Sequence, residues 1–169
     1  MSGVLRTGLL LAVSLCAACG FHLRGDVALP DWLERVQVES EARYGEVAEE
    51  LRRALRAAGA AVVEHPEGAQ AVIRIEGEQS RRRILSVGSD GRPSEYELIY
   101  SLSYSVQDPA GGPRARPRSV TERRAYTFDE AEVLGKSTER DQLWRELRRL
   151  AVTAVLTRLR YSAAPRGGR

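Results

Sequence analysis

A chain of 169 residues with 43% apolar and 29% charged residues has the composition of one folded domain, which excludes a disordered or fibrous protein. A formal charge of +3 is too small for nucleic-acid binding through bulk electrostatics. Of the 26 basic residues, every one except Lys136 is arginine.

The N-terminus has three parts: a positive start at Arg6, an apolar run over Leu9–Leu15, and the small-residue stretch Cys16-Ala17-Ala18-Cys19. This is the pattern of a secretory signal. The apolar run falls short of the roughly 20 residues that a spanning helix needs. A cysteine directly after two alanines is the pattern of a lipoprotein cleavage site, with Cys16 in the place where a branched apolar residue is usual. Residues 1–18 are therefore expected to be a cleaved signal peptide, with lipid attached at Cys19. With Cys16 removed and Cys19 acylated, the mature domain would hold no thiol or disulfide and must rest on its core alone. Gly20 stands where an aspartate would retain a Gram-negative lipoprotein in the inner membrane, so the expected destination is the outer membrane.

Residues 19–32 read as an irregular lead broken by Gly25 and Pro30. Val36 and Val38 alternate within 35–39, which predicts a short strand. Tyr44, Val47, Ala48, Leu51, Leu55 and Ala58 recur at helical spacing, and Gly59 sits where a left-handed helix end is wanted. A second strand is predicted over 71–76, with room to continue as far as Val87. Ser89-Asp90-Gly91-Arg92 is a turn, since Asp-Gly readily supplies positive φ. The strictest alternation follows, with Tyr96, Leu98, Tyr100, Leu102, Tyr104 and Val106 on one face and Glu97, Ile99, Ser101, Ser103 and Ser105 on the other. After a Gly/Pro turn over 108–113, a last strand is predicted over 120–128. Thr138 with Asp141 resembles a capping box. The helix behind it has a stripe of Leu143, Leu147, Leu150, Ala151 and Ala154, widened toward the C-terminus by Val152, Leu156 and Leu159, so its second half should be more buried. Residues 162–169 read as a disordered tail. The expected fold is α+β, a single domain over 19–161. It is a two-layer sandwich of two amphipathic helices on a four-stranded mixed sheet, in the order β-α-β-β-β-α.

Catalytic material is sparse. His22 and His65 fall in the lead and in a loop. H-x-x-x-H does not occur, the C-x-x-C of Cys16-Ala17-Ala18-Cys19 is split by the expected cleavage, and there is no phosphate-binding glycine loop or G-x-S-x-G elbow. No catalytic residues, metal or cofactor are expected beyond the covalent lipid at Cys19. The arginine clusters 81–83, 114/116/118 and 123–124 suit phosphates or carboxylates, or serve to keep strand edges from pairing.

Cys19-Gly20-Phe21-His22-Leu23-Arg24-Gly25 at the lipidation site, Tyr44-Gly45 at the helix start, and Ser86-Val87, Asp90-Gly91 and Glu95-Tyr96-Glu97-Leu98 around the hairpin resemble the LPS-assembly lipoprotein family, LptE. The likeness spans nearly the whole mature chain. It implies a non-enzymatic, lipid-anchored outer-membrane protein on the periplasmic side. Such a protein plugs and helps assemble the LptD β-barrel and binds lipopolysaccharide. The resemblance points to Lys136 and, at the hairpin turn, to Arg92 as lipopolysaccharide contacts; Ser89 occupies the place where a basic residue is expected at the turn. It also points to Ser101, Ser103, Ser105, Asp90 and Gly91 as partner-facing. Two other classes stay open: a lipoprotein that binds or carries lipid outside this translocon, which should enclose an apolar pocket, and an envelope hydrolase, which should show a polar catalytic cluster in a cleft.

Overall fold

The computed structural model describes residues 29–110, 116–127 and 133–162. The expected signal peptide, the lipid site Cys19, the first part of the lead and residues 163–169 of the tail lie outside them. Five strands form one sheet: β1 (Arg35–Ser40), β2 (Ala61–Val63), β3 (Ala71–Val87), β4 (Pro93–Gln107) and β5 (Arg118–Thr127). Helix α1 (Gly45–Ala57) follows β1, and helix α2 (Val133–Arg160) closes the domain.

The sheet order is β2-β1-β3-β4-β5. β1 runs parallel to both β2 and β3, while β3, β4 and β5 form an antiparallel meander. The sheet is mixed, as the strand–helix–strand link implies, but it has five strands rather than four. The extra strand, β2, is three residues long. Ala61-Val62-Val63 is too short to show a period-two pattern, and it becomes a strand only by pairing with 35–37 of β1.

Both helices cover one face of the sheet. Val47, Ala48, Leu51 and Leu55 of α1 and Leu147, Ala151, Val152, Val155 and Leu159 of α2 are buried against Val36, Val38, Ile73, Ile75, Leu98, Tyr100, Leu102 and Tyr104. α1 starts at Gly45 and ends at Ala57, and Gly59 just beyond it has a φ of 95°, the left-handed conformation that glycine adopts without a Cβ clash.

α2 departs from expectation in two ways. It begins at Val133, so Thr138 and Asp141 lie inside the helix rather than at its start. The predicted stripe begins at Leu143, ten residues after the helix starts at Val133. Leu150 is exposed and Val155 takes the buried position. The steps 147–151–155–159 overshoot a 3.6-residue turn, so the stripe winds away from Leu150. The second half of the helix is the more buried, as expected.

Two contacts hold the lead to the rest of the domain. Trp32 Nε1 donates to the Ser162 carbonyl at 3.3 Å, and Leu33 is fully buried.

Candidate functional site

β3 is a 17-residue strand with two characters. Residues 71–75 are buried apart from Arg74, whereas 79–85 are all exposed. Register irregularities interrupt its ladder with β4 between Ile75 and Gly77, between Ile84 and Ser86, and between Ser86 and Val87. Such bulges bend a strand and add twist. The turn beyond is built from its own residues. The Gly88 amide donates to the Arg92 carbonyl at 2.7 Å, and the Arg92 amide donates to Asp90 Oδ1 at 3.1 Å. Gly91 holds φ 80°, the positive φ expected of Asp-Gly.

The hairpin tip is amphipathic. Ile84, Leu85 and Val87 are 53%, 47% and 57% exposed, three of the five large exposed apolar side chains among the described residues. Arg81, Arg82 and Arg83 precede them directly. Arg83 Nε donates to Glu97 at 2.7 Å, and Arg82 lies 4.6 Å over the Tyr96 ring, which stacks on Tyr126. Cross-strand stacking and cation–π contact of this kind stiffen a strand pair that carries little core. Sequence reasoning passed over the three aliphatics, because along the chain they are indistinguishable from ordinary strand residues. Only their exposure marks them.

The sheet face opposite the helices is small and polar. The register aligns Ser103 with Gly77 and Ser119, and Ser101 with Gln79 and Thr121. Ser101 and Thr121 hydroxyls lie 3.0 Å apart, and Ser103 Oγ donates to Ser119 Oγ at 3.4 Å. Ser105 does not belong to that surface. It is buried, and its hydroxyl donates to Glu76 at 2.6 Å, because the bulge after Ile75 turns Glu76 over it. Of the expected serine row, Ser101 and Ser103 remain half-exposed.

A polar bridge crosses the helix-covered side. The Tyr100 hydroxyl donates to Glu78 Oε1 at 2.7 Å; Arg148 of α2 lies 3.4 Å from the same carboxylate and donates to Glu46 of α1. Burial, then the Glu78 carboxylate, pushes the Tyr100 hydroxyl far above the ordinary tyrosine range. Burial opposes the charge on Arg148, but the carboxylates of Glu46 and Glu78 outweigh it and raise its pKa. Tyr104 is also raised by burial, which the charges of Arg118 and Arg158 partly offset.

Asp90, Gly91 and Arg92 form the exposed turn, with Arg92 Nε 4.0 Å from Asp90. Lys136 lies in the first turns of α2; its side chain is outside the described residues. Arg124 pairs with Glu146, and Arg158 donates to the Ser119 carbonyl, so α2 runs antiparallel to β5 with its N-terminus toward the hairpin turn. Lys136 lies ten helical residues beyond Glu146, about 15 Å. Arg92 lies six strand residues beyond Leu98, the β4 partner of Arg124, or roughly 20 Å. The two residues thus stand at the same end of the domain. His65 is exposed in its loop. Among the described residues, no group of three or more His, Cys, Asp or Glu side chains is placed to hold a metal.

A family model described as LptE, lipopolysaccharide-assembly, matches residues 33–159. The LPS-assembly lipoprotein LptE of Pectobacterium atrosepticum is 29% identical over 150 residues, 88% of this chain and 80% of that relative. The solution structure of lipoprotein B from Nitrosomonas europaea superposes with a TM-score of 0.70 at 29% identity, over 83% of this chain and 90% of that one. The crystal structure of rare lipoprotein B from Shewanella oneidensis gives 0.64 at 29% identity, over 74% and 92%. The matched span, the aligned relative and the superposed structure agree: the chain belongs to the LptE lipopolysaccharide-assembly family.

Proposed function

We propose that this protein is a non-enzymatic outer-membrane lipoprotein, tethered on the periplasmic side through lipid at Cys19. In this reading it plugs and helps assemble the LptD β-barrel and contacts lipopolysaccharide at its hairpin end. The observation that carries the reading is the protruding tip: three exposed aliphatics next to an arginine run, in a chain of the LptE family. An amphipathic anion with acyl chains and phosphates complements both halves. Arg92 and Lys136, at that same end, are the proposed phosphate contacts.

Two further features favour a seat inside a polar lumen. The uncovered sheet face offers hydroxyls and small residues, which suit the polar interior of a large barrel. Ser101, Ser103, Asp90 and Gly91 are the proposed barrel-facing positions. The domain is also long. The lead enters beside Val36, which pairs with Ala71, and β3 then runs sixteen residues to Val87, roughly 50 Å. The hydrocarbon core of a bilayer is about 30 Å thick. A domain tethered at its base therefore has the reach to present Arg92 across the membrane.

A lipid carrier acting outside a translocon would want an enclosed apolar cavity, whereas two clefts among the described residues are rimmed by charged side chains. The experiment that tests the proposal is recovery from outer membranes in gentle detergent. A large β-barrel should come down at equal stoichiometry; its absence overturns the plug reading. Arg92→Glu with Lys136→Glu should weaken lipopolysaccharide capture by the purified protein, and unchanged affinity rejects those two contacts.

A further inference from the structure

Away from the hairpin, on the outer side of the helix layer, α1 and α2 part to leave a cleft of about 540 Å³, within the range of small-ligand sites. Its walls carry opposite charge. α1 contributes Glu46, Glu49 and Glu50, and α2 contributes Arg145, Arg148 and Arg149. Arg53 adds one guanidinium to the α1 side, and Gly45 opens its mouth, where an added Cβ would meet nothing within 4 Å.

The charges on the two walls are unequally committed. Glu49 is engaged by Arg52, whereas Glu50, Arg145 and Arg149 make no ion pair among the described residues. One bridge crosses the cleft, from Arg148 to Glu46. Its ends differ: the Arg148 side chain is 23% exposed, and that of Glu46 is 81% exposed. An ion pair with one end in water contributes little and opens easily. When it opens, Arg148 retains the Glu78 carboxylate 3.4 Å from its Nε, and Glu78 in turn accepts from the Tyr100 hydroxyl. The floor of the cleft is thus a positioned guanidinium whose outer face can exchange partners.

We propose that this cleft binds a zwitterionic headgroup, a phosphate monoanion joined through two methylenes to a primary ammonium. The phosphate takes the fork of Arg148 in place of Glu46, with Arg145 and Arg149 beside it. The ammonium, with three donors and no acceptor, takes Glu46 and Glu50 on the facing wall. Arg148 thus exchanges one anion for another, and Glu46 exchanges one cation for another. A simple phosphate answers only the arginine wall and faces the carboxylates across the gap. A simple amine meets the converse difficulty. Such a headgroup exists as part of a membrane phospholipid and as a soluble phosphodiester, and both share the recognised chemistry. The site is separate from the hairpin, so its failure leaves the lipopolysaccharide reading untouched.

The test uses the acylated full chain in a neutral maltoside detergent, titrated with glycerophosphoethanolamine and followed by nitrogen-15 NMR and calorimetry. The Gly45 amide and the Arg148 and Arg149 Nε–H resonances should shift. Glycerol 3-phosphate and ethanolamine, each alone, should bind about tenfold more weakly. Glu50→Lys and Arg149→Glu should each lower the affinity for the headgroup, and combining them should recover part of it, since the pair restores one charge of each sign to the cleft. Retained amide dispersion certifies the fold of every variant. Nanodiscs of phosphatidylethanolamine that shift the same resonances, against phosphatidylglycerol discs that do not, identify a lipid ligand; shifts with the soluble phosphodiester alone identify a free one, and both results support the site. Glycerol 3-phosphate binding as tightly as the phosphodiester, or shifts confined to the hairpin, overturns the proposal.

Discussion

The two halves of β3 are one continuous strand with opposite physical roles. From Ala71 to Ile75 the strand lies between β1 and β4, and its alternate side chains are sealed by the helices. From Gln79 to Val87 its only partner is β4, and none of its side chains is buried. The inner half contributes area removed from water, which is the main term in stability. The outer half contributes almost none and retains apolar groups in solvent. The contrast teaches that this protein separates what holds it folded from what it presents to a partner, within one strand.

Four variants test that division, in falling order of expected effect on stability. Leu102→Ala removes a fully buried side chain between α2 and the sheet and should lower the unfolding free energy by about 2–5 kcal/mol in urea melts. A loss well under that range would mean that the covered half is not the stabilising one. Tyr100→Phe removes the donor to Glu78 and should lower stability by about 1–2 kcal/mol at neutral pH.

Tyr100 also predicts a pH dependence with a definite sign. Its folded pKa is raised, so above the ordinary tyrosine value of about 10 the unfolded chain loses this proton first. The contribution is fully present below that pH and declines as the solution becomes more alkaline. Alkaline melts of Tyr100→Phe should show a flatter decline than those of the parent, and parallel curves would remove Tyr100 from the account.

Gly91→Ala tests the turn between the halves. Its φ of 80° disfavours a Cβ, although the space is open, so the expected loss is purely conformational, about 1 kcal/mol. The smallest effect belongs to the tip. Ile84→Ser, Leu85→Ser and Val87→Ser together should change stability by no more than about 0.5 kcal/mol, while lipopolysaccharide capture falls. A cooperative loss of folding in that variant would break the comparison.

Much of this architecture was legible because its signals are local. Tyr96 through Val106 alternate strictly, and the resulting strand has Leu98, Tyr100, Leu102 and Tyr104 buried on the predicted side. Gly59 and Gly91 announced two positive-φ positions that the backbone uses. The family was legible from a short run at the expected lipid site and from the order of elements. The features that escaped are those whose meaning depends on a distant neighbour. β2 exists because β1 offers it a ladder. Ser105 left the exposed row because a bulge on another strand brought Glu76 to it. The opposed charges of the helix cleft come from residues about a hundred positions apart, brought face to face by helix packing.

By itself the sequence determined two helices and four of the five strands, which face of each is apolar, and to which family they belong. Periodicity and turn chemistry act over a few residues, so they can be read along the chain. Only the tertiary structure decided which apolar residues stay in water, which polar ones are buried, and which charges meet. Exposure and pairing depend on what packs from elsewhere in the chain, and no local pattern encodes that.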